Sequence, residues 1–320
     1  MKKYIVMSIF ATTLAAQVQA QKFPEKPIRL VSPFSAGSAT DFFARVIGPK
    51  LTESWGQPVV VDNRPAAGGV VAGEIVARAT PDGHILMLHS GAFAASASLY
   101  PRLPFDSVKD FSGVTQVAAN PMVLVVVPNS GITSVKELIA LAKQRPGQWN
   151  YGSAGIGSGT HYAAELFCLA AGIRVVHIPY KGTPEFINDT IAGRLQFALS
   201  AMPPAVPLIS AGRLLPLATT SKKRSHLLPN VPTVIEATAL DFEYDGWFGI
   251  FAPSATPRRV VNQLSKEFAR IVALPDVAEA FMRQGATPTV SSSPEAFDKM
   301  VHTEIATRRK VWLQAGVKAE

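Results

Sequence analysis

The stretch PFSAGSATDFFAR, residues 33–45, decides how this chain is read. It follows a β-branched run, Ile28 to Val31. It precedes a segment in which Phe43, Val46, Ile47 and Leu51 recur at i, i+3, i+4 and i+8, the spacing of one buried helix face. The stretch is therefore a strand-to-helix junction, and its loop holds almost only small residues: Ser35, Ala36, Gly37, Ser38 and Ala39. In an open α/β sheet, ligands bind beyond the carboxyl ends of the strands, where the first amides of a helix lack partners and its dipole is positive. Ser38 with Asp41 three residues later resembles a capping box, with Asp in place of the usual Glu. Phe34, Gly37, Ser38, Ala39, Thr40 and Asp41 are candidates for contact with an anion; an ordinary tight turn is the alternative.

The design recurs at NYGSAGIGSGTHYAAELF, residues 150–167, where Gly152, Gly155, Gly157 and Gly159 alternate with hydroxyl residues ahead of a helix. Each glycine costs backbone entropy on folding, so this density argues for close approach of something to the main chain. Ser153, Ala154, Ser158, Gly159, Thr160 and His161 join the candidates, although a packing or capping role at the helix start is the stronger reading for His161. If the two junctions lie in different lobes, two helix N-termini face one cleft, which suits a small carboxylate or a ligand with a carboxylate at each end. Two further junctions, HSGAF at 89–93 with Ser90 and Gly91, and NRPAAGGV at 63–70, offer more amides but read first as plain turns.

Elsewhere short β-branched runs (59–61, 85–88, 123–127, 174–178, 195–199, 214–218) alternate with helical patterns (41–51, 70–79, 135–144, 161–171, 257–272, 294–313). Such alternation predicts an α/β fold with mostly parallel sheets. No low-complexity linker divides the chain. Val123 to Pro128 and Gly246 to Pro253 are the candidate crossings between lobes, giving a discontinuous first lobe, 21–124 with 246–320, and a second lobe, 125–245.

Met1 to Ala20 has the basic start, apolar stretch and small-residue cleavage site of a secretory signal, so the mature chain should begin at Gln21. No later run approaches the roughly 20 apolar residues of a membrane span, and export to a periplasm is expected. Of 320 residues, 300 remain, enough for two domains. The formal charge of +8 falls to +6 without Lys2 and Lys3, a balance that favours anionic partners. Nucleic acid is not among them: the one dense basic cluster, Lys222 to Arg224, carries no interleaved aromatics and reads as a solvated turn. The lone Cys168 sits in an apolar helical pattern and excludes an internal disulfide. Gly-x-Ser-x-Gly, P-loop and His-Glu-x-x-His motifs are missing, and the six histidines lack metal-ligand spacing, so no catalysis, metal or cofactor is expected.

Taken in order, PFSAGSATDFFAR, GQPVVVDNRPAAGG with ATPDGHIL, SLYPRLPFDSVKDF, SVKELIALAKQRPGQWNYGSAGIGSGTH, HIPYKG, LLPNVPTVIEA and WFGIFAP resemble the Bug/TctC periplasmic receptors of tripartite tricarboxylate transporters over essentially the whole mature chain. The resemblance implies a two-lobed Venus-flytrap fold of the type II periplasmic-binding-protein class. It also implies a carboxylate clamp from Gly37, Ser38, Ala39, Thr40 and Asp41 with Ser158, Gly159, Thr160 and His161, Asp41 organising its loop. A second ligand end would be read by the opposite lobe, and a monomeric receptor would deliver its ligand to membrane permease subunits. Sensing for a signalling partner and carboxylate hydrolysis are the competing functions. Two positions depart from the family pattern. Ser38 stands where glycine is frequent and would be strained if its φ were positive. Ser200, a further candidate ligand residue, stands where many members have Asp, which weakens the case for an amino acid and leaves aliphatic or aromatic carboxylates open.

Overall fold

The computed structural model describes residues 23–65, 69–180 and 182–317. The expected signal segment lies outside them, as do Lys181 and the centre of NRPAAGGV. The first lobe begins with β1 (Ile28–Ser32), α1 (Ala39–Trp55), β2 (Val59–Asn63), α2 (Val70–Ala77), β3 (Ile85–Ser90) and α3 (Ala92–Leu99). The long β4 (Phe111–Val126) follows, then α4 (Val135–Gln144), β5 (Asn150–Ser153), α5 (Gly159–Ala171), β6 (Val176–Pro179), α6 (Thr183–Ile191), β7 (Phe197–Ala201), α7 (Met202–Ser210), β8 (Leu215–Thr219) and α8 (Val234–Thr238). The chain returns through β9 (Asp245–Pro253) to α9 (Arg258–Val272), α10 (Pro275–Arg283), β10 (Thr287–Pro288) and α11 (Pro294–Ala315).

The strands lie in the order β2-β1-β3-β9-β4-β7-β5-β6. Parallel pairs hold each lobe's own strands: β1 with β2 and β3, and β5 with β6 and β7. The strands that run between the lobes supply the antiparallel pairs, so the sheet is mixed. β9 pairs with β3 on one side and with β4 on the other, while β4 beyond Met122 pairs with β7 and β8. β4 begins at Phe111, ahead of the expected run at Val123, and changes partners at Pro121–Met122. Gly113 is accommodated by a register shift between Gly113 and Thr115, and a second shift falls between Gln116 and Ala118.

Each lobe has its own core. Leu30, Ile47, Leu88, Ile250 and Phe268 pack together in the first, and Leu124, Tyr151, Phe167, Phe197 and Leu199 in the second. Helix α1 buries Phe43, Ile47 and Leu51 of the anticipated face, with Val46 half-buried against the same core and Ala44 buried beside them, and ends on Gly56 in the left-handed conformation. Cys168 is buried in the second core, and Lys222 and Arg224 form surface pairs with Glu243 and Glu236. Among the described residues no helix is long and apolar enough to cross a membrane.

Candidate functional site

Strand register brings the two glycine-rich junctions toward one place. At the carboxyl end of β3, Ser90 lies opposite Phe248, which lies opposite Ala118 of β4. At the carboxyl end of β5, Gly152 lies opposite Ala198, which lies opposite Val125 of the same strand. The carboxyl ends of the two parallel groups thus face each other along β4, separated by about 20 Å at ~3.3 Å per residue. The loop ahead of α5 reaches across that gap. A Cβ on Gly157 would stand 3.3 Å from Leu99 and 4.0 Å from the Ser96 hydroxyl, both on α3 of the other lobe.

The loops are built to one plan. Ser38 and Ser158 cap their helices with nearly the same backbone, φ −70° and ψ 164° against φ −69° and ψ 161°. Each hydroxyl accepts from the amide three residues on, Asp41 at 3.3 Å and His161 at 3.2 Å. Each also meets a threonine hydroxyl, Thr40 at 3.1 Å and Thr160 at 3.0 Å. Gly37 and Gly157 take the positive φ, +81° and +75°, so Ser38 is unstrained and its departure from glycine is harmless to the backbone. The amide of Gly37 donates to Asp41 Oδ2 at 2.9 Å, and that of Gly157 to His161 Nδ1 at 3.2 Å. With these contacts made, the amides of Ala39 and Thr40 and of Gly159 and Thr160, the first of each helix, are left without an i−4 carbonyl.

Asp41 and His161 therefore do the same job with opposite chemistry. Burial alone would raise the Asp41 pKa, but the Arg45 guanidinium at 2.9 Å and the Gly37 amide outweigh it and hold the carboxyl below its usual range. His161 is almost wholly buried, and its ring stacks on His177 with centroids 3.8 Å apart. Burial pushes His161 down to about 3 and His177 to about 4, so both rings are neutral. Because Nδ1 accepts from Gly157, the His161 proton sits on Nε2, 3.8 Å from Glu165. The side chain of His161 thus shapes the loop from inside, as a capping residue does.

The other candidates serve the same loops. Ala154 donates its amide to Thr160 Oγ1 at 2.9 Å, and Thr40 meets Ser32 at 2.9 Å. Ser153 lies 2.6 Å from His177 Nε2, a spacing that a nucleophile and base would also show. Yet Ser153 is fully buried and holds both the amide and the carbonyl of Gly155, so its hydroxyl is committed to the turn. Phe34 rests edge-on against His89, and its carbonyl accepts from Asn63. Ser90 receives the Ala92 amide at the start of α3, with Gly91 between them. Ser200 is buried in β7 and donates to the Ala201 carbonyl.

Sequence reasoning passed over an aromatic group standing beside these loops. A Cβ on Gly159 would lie 3.0 Å from the Tyr244 hydroxyl, and the Tyr244 ring meets Tyr162 at 5.9 Å. Tyr162 packs on Trp312, whose indole donates to Ser98 at 2.9 Å. Arg308 lies over the Tyr162 ring, 4.0 Å from its centroid. A signal existed: Phe297, Val301, Ile305, Arg308 and Trp312 follow the buried stripe of α11 at i, i+4, i+8, i+11 and i+15.

The tripartite tricarboxylate transporter family receptor profile (TctC) matches residues 43–316. The structure described as R. palustris Rpa4515 with adipate is 34% identical and superposes with a TM-score of 0.84, covering 92% of this chain and 99% of that one. The periplasmic binding protein BugD is 30% identical with a TM-score of 0.81 over 93% of this chain and 100% of its own. MatC from Rhodopseudomonas palustris with bound malate is 27% identical with a TM-score of 0.80 over 90% and 99%.

Proposed function

This chain belongs to the tripartite tricarboxylate transporter receptor family, and from that premise we propose that it is a periplasmic solute-binding receptor. It captures a small carboxylate between its lobes and delivers it, as a monomer and without chemical change, to membrane permease subunits. The observation that carries this reading is the pair of matched loops at the facing strand ends. Each presents the first two amides of a helix, where the dipole is positive, and the side chains around them, Ser38 with Asp41 and Ser158 with His161, are spent on holding the loops. A carboxylate has two oxygens, each able to accept more than one N–H, and so matches two pairs of amides from two directions. The bound adipate and malate of the two similar structures support the ligand class. The division into 21–124 with 246–320 and 125–245 is part of the proposal, supported by the group in which each strand pairs.

Thermal melting against a carboxylate panel tests it. A ligand at 100 times its dissociation constant stabilises the native state by about 2.7 kcal/mol, several degrees in a protein of this size. Mass analysis of the recovered ligand should find it unchanged. A panel without any shift, with turnover of an ester or amide instead, would establish the hydrolase reading.

A further inference from the structure

The strands that join the lobes carry different things on their two faces. Beyond its register shifts β4 alternates, so Ala118 and Met122 point to one side and Ala119, Pro121 and Val123 to the other. The helices that follow both glycine-rich junctions lie on the first side. Phe43 of α1 packs on Phe248, the partner of Ala118, with ring centroids 4.5 Å apart. Met122 lies beneath the head of α5, its methyl 3.6 Å from where a Gly159 Cβ would stand. On the second side Trp247 and Thr287 flank Ala119, and Asp245 flanks Pro121, so three strands form one floor. A cavity of about 610 Å³ lies on that floor.

Its walls come from different lobes. Ser221 to His226, between β8 and α8, stand on one side, and Thr289 and Met300 on the other. None of the residues that line it belongs to the two glycine-rich loops. At one end the lobes already touch. The His226 ring donates to the Met282 carbonyl at 2.9 Å, and a Cβ on Gly285 would fall 3.0 Å from Leu227 and 2.4 Å from the Met202 Cβ, closer than two side chains can come. No further approach is possible there. Leu228 packs against the cluster of Val123, Val125 and Met202, which keeps this stretch on the second side. The lobes therefore face each other on opposite sides of β4 and β9, at the loops on one and across the cavity on the other. Turning about these strands, they part on one side by closing on the other.

We propose that this cavity controls the conformation of the receptor: it is the room into which the lobes turn when the ligand cleft opens, so whatever fills it holds the cleft closed and slows ligand release. The proposal rests on the lobe division and the receptor reading above, and adds to them what sets the balance between open and closed forms. Apparent affinity scales with the fraction of receptor already in the binding-competent form. If filling the cavity raises the closed form from about a tenth of the ligand-free population to about a half, affinity tightens about fivefold with no new contact to the ligand.

Small-angle X-ray scattering of the ligand-free protein is the test, together with titration calorimetry and stopped-flow release of a carboxylate such as adipate or malate. The proteins are wild type, Thr287→Trp on the floor, Lys223→Trp on the wall of the second lobe, and Thr287→Ala, which adds no bulk. Lys223 is chosen because Lys222 and Arg224 hold Glu243 and Glu236. Each Trp variant should contract the ligand-free radius of gyration, tighten the carboxylate about 3- to 10-fold and slow its release by a similar factor, while Thr287→Ala matches wild type. The two Trp side chains enter from different lobes, so if melting shows one variant misfolded the other decides. Folded Trp variants with wild-type scattering, affinity and release overturn the proposal, as do weaker binding and faster release. Thr287→Ala tightening as much as Thr287→Trp also overturns it, since no space has then been filled. A wild type that binds no carboxylate, while both Trp variants still contract, overturns the receptor reading and leaves the cavity's control of lobe position standing.

Discussion

Replacing Gly159 with Asp places a carboxylate at the head of α5, where the proposed ligand would accept from the Gly159 and Thr160 amides. The new Cβ would stand 3.0 Å from the Tyr244 hydroxyl and 3.6 Å from the Met122 methyl, close enough that Tyr244 must give by a few tenths of an ångström. Gly159 is outside the left-handed region, so the backbone itself accepts a side chain. Each amide lost to the ligand costs roughly 1.5 to 3 kcal/mol as a charge-assisted bond. Two like charges about 4 Å apart add on the order of 4 kcal/mol at an effective dielectric of 20. Their combined effect exceeds 4 kcal/mol even if one amide bond survives, so affinity should fall by more than about a thousandfold. Gly159→Ala brings only the crowding of Tyr244 and should cost about tenfold or less. Titration calorimetry with a wild-type ligand, alongside circular dichroism and melting of both variants, measures this. A folded Gly159→Asp protein with wild-type affinity would place the anion elsewhere and return the small residues to the role of tight turns.

Acid should destabilise the protein before its carboxylates titrate. His161, His177 and the buried His89 have folded pKa values pushed down to about 3, 4 and 3 by burial, so the unfolded chain binds more protons below its own value near 6.5. Stability is thus full above about pH 6.5 and lost as pH falls toward the folded values, about 2 kcal/mol per histidine between pH 7 and 5; urea melts at the two pH values test this, and unchanged midpoints would refute it. Ser38→Ala and Ser158→Ala should each cost about 1 kcal/mol, and similar amounts, because the two caps share one geometry. Chemical denaturation compares them, and a several-fold disparity would break the equivalence. Cys168→Ala should cost on the order of 1 kcal/mol through a small cavity and leave affinity intact. In the native protein, burial raises the Cys168 pKa, with Glu165 adding to it, so the thiol should resist alkylation until the fold opens.

Periodicity was legible wherever burial was one-sided. The α1 stripe and the helix over Val135–Gln144 follow from their apolar spacing, and the parallel strands other than β5 from their apolar, largely β-branched runs. It failed where tertiary pairing overrode composition. Helix α7, MPPAVPLIS, holds three prolines, yet two fall in its first turn, where no amide donor is needed. Strand β5, NYGS, has no β-branched residue and is held by neighbours on both sides. Helices α3, α6 and α10 were likewise passed over; in α3, AFAASASL, small residues leave little periodic contrast. At the site the loops were visible because glycine and hydroxyl residues ahead of a helix have few other uses. Arg308 was not, because Arg309 and Lys310 beside it make the run read as a solvated face, and only its phase on α11 places it inside.

Helix α11 has a mechanical consequence. Its first turns, through Phe297, Val301 and Ile305, pack against Trp247 and Phe251, while its end, through Val311 and Trp312, sits among Tyr162, Tyr244 and Phe242. Two strands passing between bodies define an axle, about which the bodies can swing. A rod seated in both, off that axle, acts as a strut. For the lobes to part, Trp312 must slide over Tyr162 of the second lobe while its indole keeps its bond to Ser98 of the first. Opening is coupled to the seating of the last helix, and amide exchange at that helix end reports the swing.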